Sequence, residues 1–228
     1  MSYTKRIVCF ANSLKTGGRC VAGREITTKS YGAWVRPVSV RPTAELSLAE
    51  CRYADQSWPA LLDILDIQLK KPAPHHHQTE NHVIDKSRFW ARTGELPWTQ
   101  LENLVEQPAS LWINGEHTYY GVNDAVDQKQ ALTLSNSLVL IRPESITIRV
   151  GKEGATEFPR KTRARFTYGG VEYSLKVTDP VAEQAFQIRG DGEYPLDDVY
   201  LCVSLTEPYE RDGRCYKIVA GVVSRRLL

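Results

Sequence analysis

The sequence predicts a mainly β chain with short helices, an α+β arrangement. Three observations predict it. Short runs rich in Val, Ile, Phe and Tyr recur in both the first and last thirds of the chain. Gly-Gly pairs at 17–18 and 169–170 separate such runs, as tight turns do. In one run Arg163, Arg165 and Thr167 alternate with Ala164, Phe166 and Tyr168, so one strand face is basic and the other core-like.

Taken in order, Ile7–Phe10, Arg19–Ile26, Ala33–Val40 and Leu61–Leu69 read as strands. Between the third and fourth, Thr43–Arg52 is expected to be a short helix, because Ser47 and Glu50 have the spacing of a capping box. Pro72-Ala73-Pro74 ends this block. The middle differs. Asp85–Arg92 and Pro97–Val105 are expected to be helical, and Asn114-Gly115 to form a hairpin turn.

The last block is the clearest. Leu138–Ile141 runs on through Ser145–Val150 with Pro143 interrupting. Thr162–Tyr168 and Val171–Val177 make a hairpin about Gly169-Gly170. Asp179-Pro180 opens a helix to Gln187, with Asp as N-cap and Pro at the first helical position. Val199–Leu205 and Cys215–Val223 complete five strands. The order β-β-β-α-β-β is that of an OB-fold, a small five-stranded barrel. The expected organisation is therefore two OB-like barrels, 1–75 and 137–228, joined by a partly helical elaboration, 76–136, that can complete the first. Two short echoes link the halves, Val35–Val40 with Ile141–Ile146 and Gly18–Gly23 with Gly213–Gly221, but in opposite order, so they establish no duplication.

Composition bounds the function. With 228 residues and 42% hydrophobic content the chain can build a core, which excludes disorder as its main state. No apolar stretch approaches the ~20 residues of a membrane span. The apolar run after Lys5-Arg6 is too short for a signal peptide, so a cytoplasmic protein without a membrane role is expected. Five Cys without C-x-x-C spacing read as buried reduced thiols.

The net charge of +2 makes no global case for nucleic acid. It is a cancellation: residues 1–43 carry +7, 44–141 carry −6, 142–189 carry +3 and 190–228 carry −2. The cations concentrate in the first three strands of each barrel, and an OB-fold commonly binds oligonucleotides on strands two and three. Lys15, Arg19, Arg24 and Arg36, with Arg163 and Arg165 in the second barrel, are the candidate phosphate contacts. Trp34 lies two residues from Arg36 on the same strand face, so its indole is a candidate for base stacking. Tyr31, Phe166, Tyr168 and Tyr173 are further aromatic candidates. Gly17-Gly18, flanked by Lys15 and Arg19, has the flexibility of a phosphate cradle but lacks Walker A spacing.

Other constellations carry less. His75–His82 holds four His and Glu80, the composition of a metal site or of a polar loop. Gln78, Glu80 and Asn81 within it have the groups to read a base edge. Asp63 and Asp66, three apart in a strand, face opposite sides and make no carboxylate dyad. Asp191, Asp197 and Asp198 form an acidic loop region. Cys20 or Cys51 with His117 supplies hydrolase letters with nothing to bring them together. No catalytic residue, metal or cofactor is expected.

The segments Lys5–Ser13, Gly18–Gly23 and Trp34–Ser39, with the later Gln78-Thr79-Glu80-Asn81, resemble the dual OB-containing domain family. The resemblance covers nearly the whole chain. It implies two barrels and a prokaryotic, nucleic-acid-binding role associated with conflict systems such as antiphage defence. It supplies no catalytic residues. The expected function is thus a non-catalytic module for single-stranded DNA or RNA, acting with a protein partner in a larger assembly. The alternatives are a protein-interaction scaffold that docks through the acidic middle, and a small-nucleotide sensor or enzyme using the Gly17-Gly18 loop and the His75–His82 segment.

Overall fold

A computed structural model describes residues 2–15, 17–27, 30–154 and 159–227. The chain divides into two units, Met1–Val105 and Glu106–Leu228.

The first unit contains β1 (Tyr3–Lys15), β2 (Gly18–Ile26), β3 (Tyr31–Val38), β4 (Asp63–Pro72), β5 (Asn81–Ile84), β6 (Ala91–Glu95) and a 3-10 helix at Trp98–Leu104. The path β1-β2-β3-β5-β4 returns to β1, which closes a five-stranded barrel. Every pairing on it is antiparallel except β3 with β5. One strand reaches two neighbours because β1 is long and bulged. Its first part, Tyr3–Val8, pairs with β4. Its pairing with β2 shifts register between Cys9 and Ala11, where the strand can bend round the barrel. The interior holds Ile7, Cys9, Val21, Val35, Leu65 and Ile67 among others.

The second unit contains β7 (Ala125–Val126), α1 (Gln128–Ala131), β8 (Leu138–Ile141), β9 (Ser145–Lys152), β10 (Arg160–Tyr168), β11 (Val171–Val177), α2 (Pro180–Gln187), β12 (Gly192–Leu196), β13 (Val199–Leu205) and β14 (Cys215–Ser224). Its sheet runs β12-β9-β10-β11-β14-β13-β8, with β11 and β14 parallel. β8 and β9 are two pieces of one run, broken about Pro143, which lacks an N–H for a ladder. Counted as one broken strand, they pair with β13 through the first piece and with β10 through the second. The order is then that of the first barrel. Ile146, Ile148, Val150, Ala164, Phe166, Tyr173, Leu175 and Val219 build the core.

Local chemistry explains the elements. Gly169 and Gly170 both have positive φ (59° and 71°), the conformation a two-residue hairpin turn requires. The Asp179 carboxylate accepts from Val181 N and Ala182 N, caps α2, and accepts from Val222 N of β14 through its other oxygen.

Several expectations change. Thr43–Arg52 is a chain of turns and not a helix. Ser47 N and Oγ do donate to the Glu50 carboxylate, but a backbone bridge from Leu46 to Arg19 holds the segment extended just before them. Asp85–Arg92 is not helical: residues from Asp85 to Trp90 connect β5 to β6, which begins at Ala91, and the Asp85 carboxylate takes Ser87 N and Oγ in a local turn. Asn114-Gly115 makes no hairpin; Glu116 bridges Ala125 across a longer loop. The middle, 76–136, is shared between the units: β5 supplies the first barrel's fifth strand, and residues from 106 onward belong to the second unit. The two sequence echoes fall on non-equivalent strands, the first on β3 against the β8–β9 break and the second on β2 against β14. All five cysteines are free thiols, four of them buried and Cys20 half-buried. Burial raises the thiol pKa values of Cys51 and Cys215 to about 11, so both stay protonated and unreactive. Among the described residues no helix is long and apolar enough to cross a membrane.

Candidate nucleic-acid interface

Strand pairing joins the basic opening of the chain to the acids that follow it. Lys5 bonds Glu25 at 2.6 Å, and Arg6 forks onto Asp66 at 2.6 and 2.7 Å. Arg36 meets Glu80 at 3.1 Å with both side chains about 5% exposed. Arg41 lies 3.9 Å from Glu45 and 3.7 Å from Glu50. The acidic middle therefore neutralises the first barrel from within, and carboxylates read as a docking surface are in part internal partners.

The candidates of the first barrel change accordingly. Arg36 is buried against Glu80 and is a structural ion pair, not a phosphate contact. Trp34 is 9% exposed, edge-on to Phe10 at 6.1 Å with the Arg24 guanidinium 5.7 Å from its ring centroid, so the indole is packed and offers no free face. Arg24 also donates from Nε to Gly32 O. Arg19 is half-buried, and its Nη1 is enclosed without a hydrogen-bond partner. Lys15 is half-buried at the end of β1, within electrostatic reach of Glu45. Thr16, in the supposed cradle, lies outside the described residues; Gly17 is exposed and Gly18 buried. Gln78, Glu80 and Asn81 are all buried, so none presents an edge to a base. Asn81 Nδ2 donates to Gln78 Oε1, and Glu80 O accepts from Arg36 N. Among the described residues no three His, Cys, Asp or Glu gather as metal ligands.

The second barrel is different. Alternation puts Ile146, Ile148 and Val150 of β9, Ala164, Phe166 and Tyr168 of β10, and Tyr173, Leu175 and Val177 of β11 in the core. The intervening side chains face outward. Register then sets Arg149 directly opposite Arg163, and Arg163 directly opposite Lys176. Lys161 and Arg165 flank Arg163 on the same face. Like charges directly opposite one another destabilise a sheet, so five cations here need either compensation or a ligand.

Compensation is partial. Arg163 is buried and held by Glu153 at 2.5 and 3.1 Å and by Asp124 at 3.5 Å, so its guanidinium is committed to internal carboxylates. Arg165 is exposed and 3.5 Å from the equally exposed Glu193. Arg149 and Lys176 are exposed, Lys161 half-exposed. Desolvation, then the charge of Lys161, lowers the pKa of Lys176 against an opposing pull from Glu183, with smaller opposed effects of Arg163 and Glu153. Phe166, Tyr168 and Tyr173 are core residues and not stacking surfaces.

Of the residues named from sequence, only Arg165 stands exposed on this face. Arg149, Lys161 and Lys176 were missed, although each alternates with a core residue in the same manner as Arg165. The same alternation of cations with core residues is present in β9 and β11.

Inside the barrel, Lys217 is 1% exposed. Its Nζ donates to Asn114 Oδ1 at 2.8 Å and lies 5.3 Å from the Tyr173 ring centroid. Burial lowers its pKa to about 7, against a smaller opposing pull from Asp124.

The profile of the dual OB-containing domain matches residues 5–222, so the chain belongs to that family. No curated protein matches it. OB-folds commonly bind nucleic acids.

Proposed function

We propose that this dual OB protein is a non-catalytic module that binds single-stranded DNA or RNA, with phosphates lying along the outward face of β9, β10 and β11. The observation that carries the reading is the row Arg149–Arg163–Lys176 with Lys161 and Arg165 beside it. These strands are the first, second and third of the second barrel, the side on which OB-folds bind oligonucleotides. Arg149, Lys161, Arg165 and Lys176 are the contacts and Arg163 their support. Work in the cytoplasm, beside a protein partner in a larger assembly, belongs to the same reading, as does the role in prokaryotic conflict systems that the resemblance implies.

Fluorescence anisotropy with a short labelled oligonucleotide over a range of salt tests it. Each phosphate neutralised contributes about −0.7 to the slope of log K against log salt for a single strand. The triple substitution R149E/K161E/R165E should weaken binding at low salt by at least ~100-fold and flatten that slope. Absence of binding at low salt, or binding unchanged by the substitutions, would overturn the reading.

A further inference from the structure

Tyr119 is 92% exposed. It is not on a loose loop. Its neighbour Thr118 donates from N and Oγ1 to the Asp124 carboxylate, both at 2.7 Å. Its other neighbour, Tyr120, accepts at its hydroxyl from Gly154 N at 2.6 Å. Gly121 N closes the turn onto Thr118 O. A Cβ at Gly121 would stand 1.7 Å from Asp124 Oδ2, so only glycine lets the loop close on that carboxylate. Val122 bridges Ser174 of β11, and Asn123 Nδ2 donates to Glu172 O.

These tethers lead to the cationic face. Asp124 and Glu153, the residue before Gly154, are the two carboxylates that hold Arg163. The loop is thus fastened on both sides of Tyr119 to the clamp at the centre of the row. The Tyr119 ring stands edge-on to Tyr120 at 4.7 Å, which holds its plane and leaves a face open. A protein has little reason to hold a fully exposed aromatic ring so firmly unless something packs on it, and a pre-ordered ring loses little entropy on binding.

We propose that Tyr119 is a stacking platform for one unpaired base of a strand whose phosphates run along β9–β11, an inference that rests on the reading above and adds the source of single-strand selectivity. Phosphate contacts alone do not distinguish an unpaired strand from a duplex; an exposed ring that needs a free base face does.

Anisotropy titrations of wild type, Tyr119→Ala and Tyr119→Phe against oligothymidylate and against an abasic strand of equal length test it. Tyr119→Ala should weaken oligothymidylate binding between about 5- and 150-fold. Tyr119→Phe should leave it nearly unchanged, and neither variant should alter abasic-strand binding. Oligouridylate run beside oligothymidylate separates RNA from DNA, and the tighter of the two should suffer the same loss. If wild type binds both strands and Tyr119→Ala weakens neither, or weakens both equally, the platform is overturned and the cationic face stands. If wild type binds neither strand at low salt, the face falls with it.

Discussion

The two barrels share a strand order and handle charge in opposite ways. The first unit carries 14 Lys+Arg against 10 Asp+Glu, and the second 15 against 17. Net charge alone favours the first unit, at +4, over the second, at −2, as an anion-attracting surface. Side-chain placement reverses this. In the first barrel Lys5, Arg6, Arg36 and Arg41 meet carboxylates of neighbouring strands and loops, and Arg36 is buried with its partner. In the second barrel Glu153 and Asp124 clamp Arg163, and Glu193 of β12 stands opposite Arg149 and 3.5 Å from Arg165, but Arg149, Lys161, Arg165 and Lys176 still crowd one outward face around Arg163. What matters to a phosphate is the charge left over on one face.

The largest effect expected on this contrast is in the first barrel. Glu80→Ala removes the carboxylate that the buried Arg36 guanidinium meets at 3.1 Å, which should cost about 3–5 kcal/mol in urea unfolding. A double change to Met at 36 and Leu at 80 should recover most of it, because a buried pair replaced by apolar residues is near neutral. If Glu80→Ala costs less than ~1 kcal/mol, the pair is not the internal structure described here.

The second effect separates the barrels by pH. Lys217 has a folded pKa near 7, well below its unfolded value of roughly 10.4. Between those two values the unfolded chain holds the proton and the folded chain does not. Stability from this group therefore rises with pH across that window, by up to about 1.4 kcal/mol per unit, and is lost as pH falls towards 7. Lys217→Met should abolish the rise, measured as the difference between variant and wild-type unfolding curves. A pH-independent difference would show that Lys217 stays charged.

The smallest effect concerns α2, which the first barrel lacks at the corresponding place between its third and fourth strands. Asp179→Ala removes two cap bonds and one to β14, and should cost about 1–2 kcal/mol. Asp179→Asn should retain about half of that, read by thermal unfolding.

The sequence showed the fold where the signals were local. Gly169-Gly170 and Asp179-Pro180 each act within a few residues, and the structure has the turn and the helix they imply. Local signals also misled where they were shared between structures. The Ser47–Glu50 contact forms, but in a turn, and Asp85 closes a turn of its own instead of capping a helix. The site was less legible. Arg6 finds Asp66 sixty residues away, and Arg36 finds Glu80, only because β1 lies on β4 and β3 on β5. Segment sums cannot contain that pairing. The alternation that exposes Arg149 and Lys176 was in the sequence, but their alignment with Arg163 depends on register, and Tyr119 sits in a loop with no periodicity to mark it.

The most direct test of the central claim is a matched charge reversal in the two barrels. Lys15→Glu with Arg24→Glu should lower single-strand affinity at low salt by no more than about 3-fold, whereas Arg149→Glu with Arg165→Glu should lower it by roughly 30-fold or more. Equal losses, or the larger loss from the first barrel, would contradict the account.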